Sequence, residues 1–140
     1  MRNNTSIVLV VAGLILLVTI AIVSSSGDQL SSDKGSAQSQ LSQWVPAGTT
    51  VQEAKRILSE HHFSISKSRV LQEGYSFRTP YIRGQGVQRD LTFPMGTELV
   101  NGNRNEGHWF TSRPYWNVSL FILNGKVTHL FVDAGTKGLG

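Results

Sequence analysis

The sequence predicts an α+β protein with one N-terminal transmembrane helix, followed by a small domain in which one helix packs on a four- to five-stranded antiparallel sheet. Three observations predict it: an unbroken aliphatic run from Ile7 to Val23, an amphipathic helical stripe opening at Thr50, and two alternating apolar runs flanking Asn124-Gly125. The 140 residues divide accordingly. Residues 1–6 are a cytoplasmic N-terminus, 7–23 the anchor, 24–43 a flexible linker, 44–134 an extracytoplasmic domain and 135–140 a flexible tail. About ninety residues are left for the domain, room for one modest core.

Ile7 to Val23 reads IVLVVAGLILLVTIAIV, with no Pro and no charge to interrupt a helix. A helix of that length spans about 25 Å, which crosses the roughly 30 Å hydrocarbon layer when the flanking serines sit in the interface. Val23-Ser24-Ser25 and Ser24-Ser25-Ser26 would also serve signal-peptide cleavage, so anchor and leader both remain open. Either one exports the domain. Arg2 and the terminal amine precede the helix, and by the positive-inside rule the N-terminus stays in the cytoplasm. Localisation follows: a cytoplasmic membrane, crossed once, with the C-terminal domain periplasmic or extracellular.

Ser24 to Gln43, SSSGDQLSSDKGSAQSQLSQ, holds two Leu and no aromatic. That is too little apolar surface to offset the entropy of ordering it, so a tether with a reach of roughly 25 Å is expected.

Beyond it, Thr50 and Glu53 have the spacing of a capping box. Val51, Ala54, Ile57, Leu58 and His61 then share one stripe, with Lys55, Arg56, Ser59 and Glu60 on the other face. A helix over 50–62 must therefore lie on something apolar. Asn124-Gly125 supplies the positive φ angles of a type I′ turn and makes Tyr115 to Asp133 a hairpin. Leu123 should then pair with Lys126, Ile122 with Val127, Leu120 with His129, Val118 with Phe131 and Trp116 with Asp133. Phe63 to Ser66, Val70 to Thr79 around Gly74, and Arg89 to Met95 read as further strands, whereas Asn101 to Gly107 reads as a loop.

The chemistry open to the chain is narrow. Cysteine is absent, which excludes disulfides, thiolate metal sites, a Cys nucleophile and an N-terminal lipidated Cys. His61, His62, His108 and His129 are the only imidazoles, and none has H-E-x-x-H spacing. His61 and His62 suit a helix end and His129 a hairpin position, so no metal and no cofactor is expected. No G-x-S-x-G occurs, and Gly84-Gln-Gly86 reads as a strand-connecting turn and not a phosphate loop. From Trp44 onward eleven Lys and Arg stand against seven Asp and Glu, a mild surplus that favours acidic partners without the basic density of nucleic-acid binding.

One pattern stands out: Tyr75, Phe77, Arg78, Tyr81, Arg83 and Arg89, then Arg104, Trp109, Phe110, Arg113, Tyr115 and Trp116. Arg and aromatic side chains make interface hot spots and stack on planar ligands. Several must be core in so small a domain, and Trp109, Phe110 and Arg113, beside an Asn/Gly-rich stretch, are the expected recognition patch.

The start of the domain, Val45-Pro46 followed by Gly48-Thr-Thr-Val-Gln-Glu-Ala54-Lys and then Leu58 and Phe63, resembles two families. One is the PASTA repeat of extracytoplasmic proteins; the other is the SmpA/OmlA type of small outer-membrane assembly lipoprotein, which Trp116-x-Val118 and the Asn124-Gly125 turn also resemble. The resemblance implies a short helix on an antiparallel sheet and a binding or scaffolding role without catalysis. The chain departs from the second family in lacking a lipidation Cys and in predicting one helix where that family has two.

The function expected is that of a membrane-anchored binding or assembly module, not an enzyme, recognising an envelope protein or an anionic glycan. The alternative is a small envelope hydrolase or metal-dependent enzyme built on His108, Asp90 and Glu106, which requires those groups to converge.

Overall fold

The computed structural model describes residues 29–84, 86–105 and 114–136. The anchor expected over 7–23 lies outside them, and no helix among the described residues is long and apolar enough to cross a membrane. The chain divides after Leu30, and the unit from Ser31 onward is a small α+β domain with, among its described residues, two helices and an antiparallel sheet.

The linker expected over 24–43 is, from Lys34, a helix: α1 spans Lys34–Trp44. Asp33 caps it, accepting from the Ser36 N–H at 2.8 Å. That bond holds the Asp33 carboxyl below its ordinary value, so the cap strengthens α1 while ionised and weakens as acid protonates it. Serine, glycine and glutamine give α1 poor intrinsic propensity. What orders it is tertiary: Ala37 and Leu41, four residues apart, are fully buried, and Val45 continues the stripe at 1% exposure. Gln38 clasps the neighbouring strand, its amide donating to the Leu130 carbonyl and accepting from the Val132 N–H, both at 2.8 Å.

Helix α2, Val51–Glu60, matches the predicted helix, with Thr50 Oγ1 accepting from the Glu53 N–H at 3.4 Å. Glu53 does not complete the capping box; its carboxylate engages Arg56, which also reaches Glu60. The helix buries Ala54 and Leu58. It ends at His62, whose φ of 62° is left-handed, with His62 N–H on the Ser59 carbonyl and Phe63 N–H on the Leu58 carbonyl. This is a Schellman termination, and it turns Phe63 back into the core.

The main sheet runs β1 (Ser64–Ile65), β5 (Glu98–Asn105), β6 (Pro114–Leu123), β7 (Lys126–Thr136), with β2 (Arg69–Val70) beside β1 on the same edge of β5. Between β1 and β2 the Ser66 hydroxyl accepts from the Asn101 N–H at 3.0 Å, bridging the break in that edge. A separate ribbon pairs β3 (Ser76–Arg78) with β4 (Asp90–Thr92). The strand expected over Val70 to Thr79 is thus split, because Gly74 at φ 77° turns the chain between β2 and β3. Gly48 and Thr49 hydrogen-bond Val127, closing the start of the β7 edge that Gln38 clasps further along. Residues 135 and 136, expected to open a flexible tail, belong to β7, which continues to Thr136.

The hairpin turn lies at Asn124-Gly125, with Leu123 opposite Lys126 and Ile122 opposite Val127, as predicted. Beyond that pair the register shifts by one, because Thr128 is an extra residue: Phe121 faces His129, Leu120 faces Leu130, Val118 faces Val132 and Trp116 faces Ala134. The Thr128 hydroxyl donates to the Phe121 carbonyl at 3.1 Å and so holds the bulge. The bulge sorts the side chains. Leu130 and Val132 join Trp116, Val118 and Leu120 in the core, and His129 and Asp133 move to the exposed outer face.

The loop expected over Asn101 to Gly107 is, to Asn105, part of β5, which is paired on both edges. Its alternation is written in polar residues: Asn101 and Asn103 face outward, while Gly102 lies inward against Val118. A Cβ at Gly102 would stand 2.8 Å from Val118 Cγ1 and 3.0 Å from Ile65 Cδ1. Neither neighbour yields easily, since Val118 is buried and stiff at χ1. Gly102→Ala should therefore cost about 1–3 kcal/mol in denaturant unfolding. A melt unchanged by the added methyl would show that the β5–β6 approach is looser than described.

Candidate ligand-binding trench

On the outer face Phe121 is fully buried, though it points away from both helices. The ribbon covers it: Phe93 stacks on it at 3.9 Å between centroids and Phe77 meets it edge-on at 4.9 Å, with Leu71 and Leu99 completing a second small core. This cover stops short of the far half of β6 and β7. There Asn117 lies opposite Asp133 and Ser119 opposite Phe131, and a trench of about 550 Å³ opens between them, the ribbon and the start of α1.

The β3–β4 connection walls the trench. It is tied at its base, where Thr79 N–H donates to the Arg89 carbonyl at 2.8 Å and Arg89 N–H to the Thr79 hydroxyl at 2.9 Å. Gly84 and Gly86, both left-handed, lie in this connection, as the strand-turn reading of Gly84-Gln-Gly86 predicts. It carries Pro80, Tyr81 and Gln88 to the trench and leaves Tyr81 57% exposed. A second hollow of about 380 Å³ lies on the other flank of Pro80, shares Phe131 and is lined also by Gln38, Val87 and Arg89.

Two ion pairs border the trench. Lys34 Nζ lies 2.7 Å from Asp133 Oδ1, and Arg78 Nε lies 2.9 Å from Asp90 Oδ1 across the ribbon. Hydrogen bonding to Arg78 holds the Asp90 carboxyl below its ordinary value, so it is ionised at neutral pH. Arg78, Asp90 and Asp133 are more than half exposed and Lys34 is partly buried, and such pairs position groups more than they stabilise a fold. The Asn117, Gln88 and Tyr81 side chains and the Arg89 guanidinium engage no partner among the described residues.

The Arg/aromatic pattern of the sequence is only partly gathered here. Phe77, Arg78, Tyr81 and Arg89 come together at the trench; Tyr75 packs on the Phe121 cluster, and Trp116 is in the main core. Arg104 donates to the His61 carbonyl at 2.9 Å, and His61 stacks on Trp44 at 3.6 Å between centroids. Trp109, Phe110 and Arg113, the expected patch, lie outside the described residues, as do His108 and Glu106. Asp90, third member of the alternative catalytic set, is held by Arg78. Among the described residues no group of three His, Asp or Glu is placed to hold a metal.

Strand alternation alone sets Asn117 and Ser119 on the face away from the helix, whereas Phe131 and Asp133 escaped the sequence reading because the bulge at Thr128 decides which β7 residues face outward. Phe121, an aromatic between polar neighbours on that face of β6, is the signal that the face needs a cover, and the ribbon supplies it. Comparison of the chain with family models, with characterised proteins and with solved structures finds no match.

Proposed function

We propose that this chain is a membrane-anchored extracytoplasmic binding module that recognises an envelope glycan or protein through the trench on its outer sheet face and performs no chemistry there. One observation carries the reading: aromatic rings and uncommitted amides line a concave site of about 550 Å³, the composition of a recognition surface. The ion pairs beside it are already formed, each cation donating to its own carboxylate, so they shape the site. Anchoring rests on the aliphatic run from Ile7 to Val23. Of the groups His108, Asp90 and Glu106 that the alternative enzyme would use, Asp90 is engaged by Arg78.

The test uses the full chain in its native membrane, with a photoreactive phenylalanine analogue at Tyr81 or, as a control, at exposed Val70 on the far edge of the sheet. Envelope material crosslinked from Tyr81 and not from Val70, and lost when Asn117→Ala and Gln88→Ala are combined, supports the trench. Equal capture at both positions, or none, would sink it. A reporter fused after Gly140 should be active only outside the cytoplasm.

A further inference from the structure

We propose that the ligand of the trench is an acidic saccharide, a run of sugar rings bearing carboxylates. The inference rests on the trench being the binding site. Charge is the first argument. Lys34, Arg78 and Arg89 line the two hollows against Asp133 alone. Lys34 is matched by Asp133 and Arg78 by Asp90, but Arg89 meets no carboxylate among the described residues. The connection from Thr79 to Arg89 adds Arg83 and contains no acidic residue. A guanidinium in that setting suits a carboxylate, which it binds through paired N–H donors.

Shape and polarity narrow the choice further. Sugar rings present a flat C–H face and an edge of adjacent hydroxyls, each both donor and acceptor. Tyr81 on the rim and Phe131 between the hollows offer flat apolar surfaces, while Asn117 and Gln88 each offer an amide with donor and acceptor side by side. Because Phe131 and Pro80 belong to both hollows, a chain can pass from one to the next. An extended peptide is recognised largely through its main chain when it adds to a sheet edge. The edge beside the trench, β7, is occupied by Gln38 and by Gly48 and Thr49. The trench therefore reads its ligand through side chains.

Full-length protein in lipid nanodiscs, titrated with an oligogalacturonate and with a neutral oligogalactoside of equal length, tests this. The acidic oligomer should bind and the neutral one bind at least about tenfold more weakly. Arg89→Gln and Tyr81→Ala should each weaken the acidic oligomer about tenfold, whereas Lys67→Gln, the same charge loss at the opposite sheet edge, should leave it unchanged. Polyglutamate binding as tightly as the oligogalacturonate, or Lys67→Gln acting as strongly as Arg89→Gln, would overturn the proposal in favour of unspecific charge attraction. If neither saccharide binds while the Tyr81 crosslink still captures envelope material, the ligand class is wrong and the trench stands; loss of both removes the binding site itself.

Discussion

Phe121→Ala is expected to destabilise the domain by about 3–5 kcal/mol in denaturant unfolding and to free the β3–β4 ribbon from the sheet. The ring is fully buried and meets three aromatic neighbours: it is stacked on Phe93, edge-on to Phe77 and, at 5.9 Å between centroids, edge-on to Phe131. Removing it leaves a cavity that the ribbon, joined to the rest of the chain by turns, cannot fill by moving as a unit. Amide exchange should accelerate in Ser76–Arg78 and Asp90–Thr92 well before it does in β6 and β7. Because Phe77 and Phe131 line the trench as well, ligand affinity should fall in the same variant. A loss of less than about 1 kcal/mol, with exchange in the ribbon unchanged, would mean that Phe121 is not what holds the two layers together.

Leu41→Ala separates the tether expected from the sequence from the helix observed. A side chain on a flexible linker contributes nothing measurable to unfolding. Leu41 is fully buried on α1, so its truncation should cost about 2–5 kcal/mol. The measurement is a denaturant midpoint with the slope m held constant, which keeps a change in stability apart from a change in the unfolded state. An unchanged midpoint would return residues 34–43 to the status of a spacer.

How far the fold could be read from the sequence follows from where each signal resides. Helix α2 and the Asn124-Gly125 turn are local: a cap, a stripe and two residues that tolerate positive φ settle them within a dozen positions. Helix α1 is not local, since its Ala37, Leu41 and Val45 stripe is sparse and its stability comes from a strand almost a hundred residues away in sequence. Strand β5 failed for a related reason. Asn101, Asn103 and Asn105 read as loop-formers until Ser66 and Ser119 are found hydrogen-bonding to Asn101, and Gly102 is found against Val118. The bulge at Thr128 carries no signature at all, yet it decides that Asp133 and Phe131 face the trench and that Val132 and Leu130 do not. Of the site, the aromatic and Arg residues of 77–89 were legible as a constellation. The β6 residues opposite them were legible only as a face, and the β7 residues not at all.

The Gln38 clasp bears on how the domain can be handled and on how it behaves when crowded. A fragment cut at Trp44, where composition alone would place the domain boundary, loses the amide that satisfies Leu130 and Val132 and bares a run of main-chain donors and acceptors. Exposed strand borders of that kind recruit one another and grow into fibrils. The serine- and glutamine-rich helix α1 is thus an integral safeguard against self-assembly.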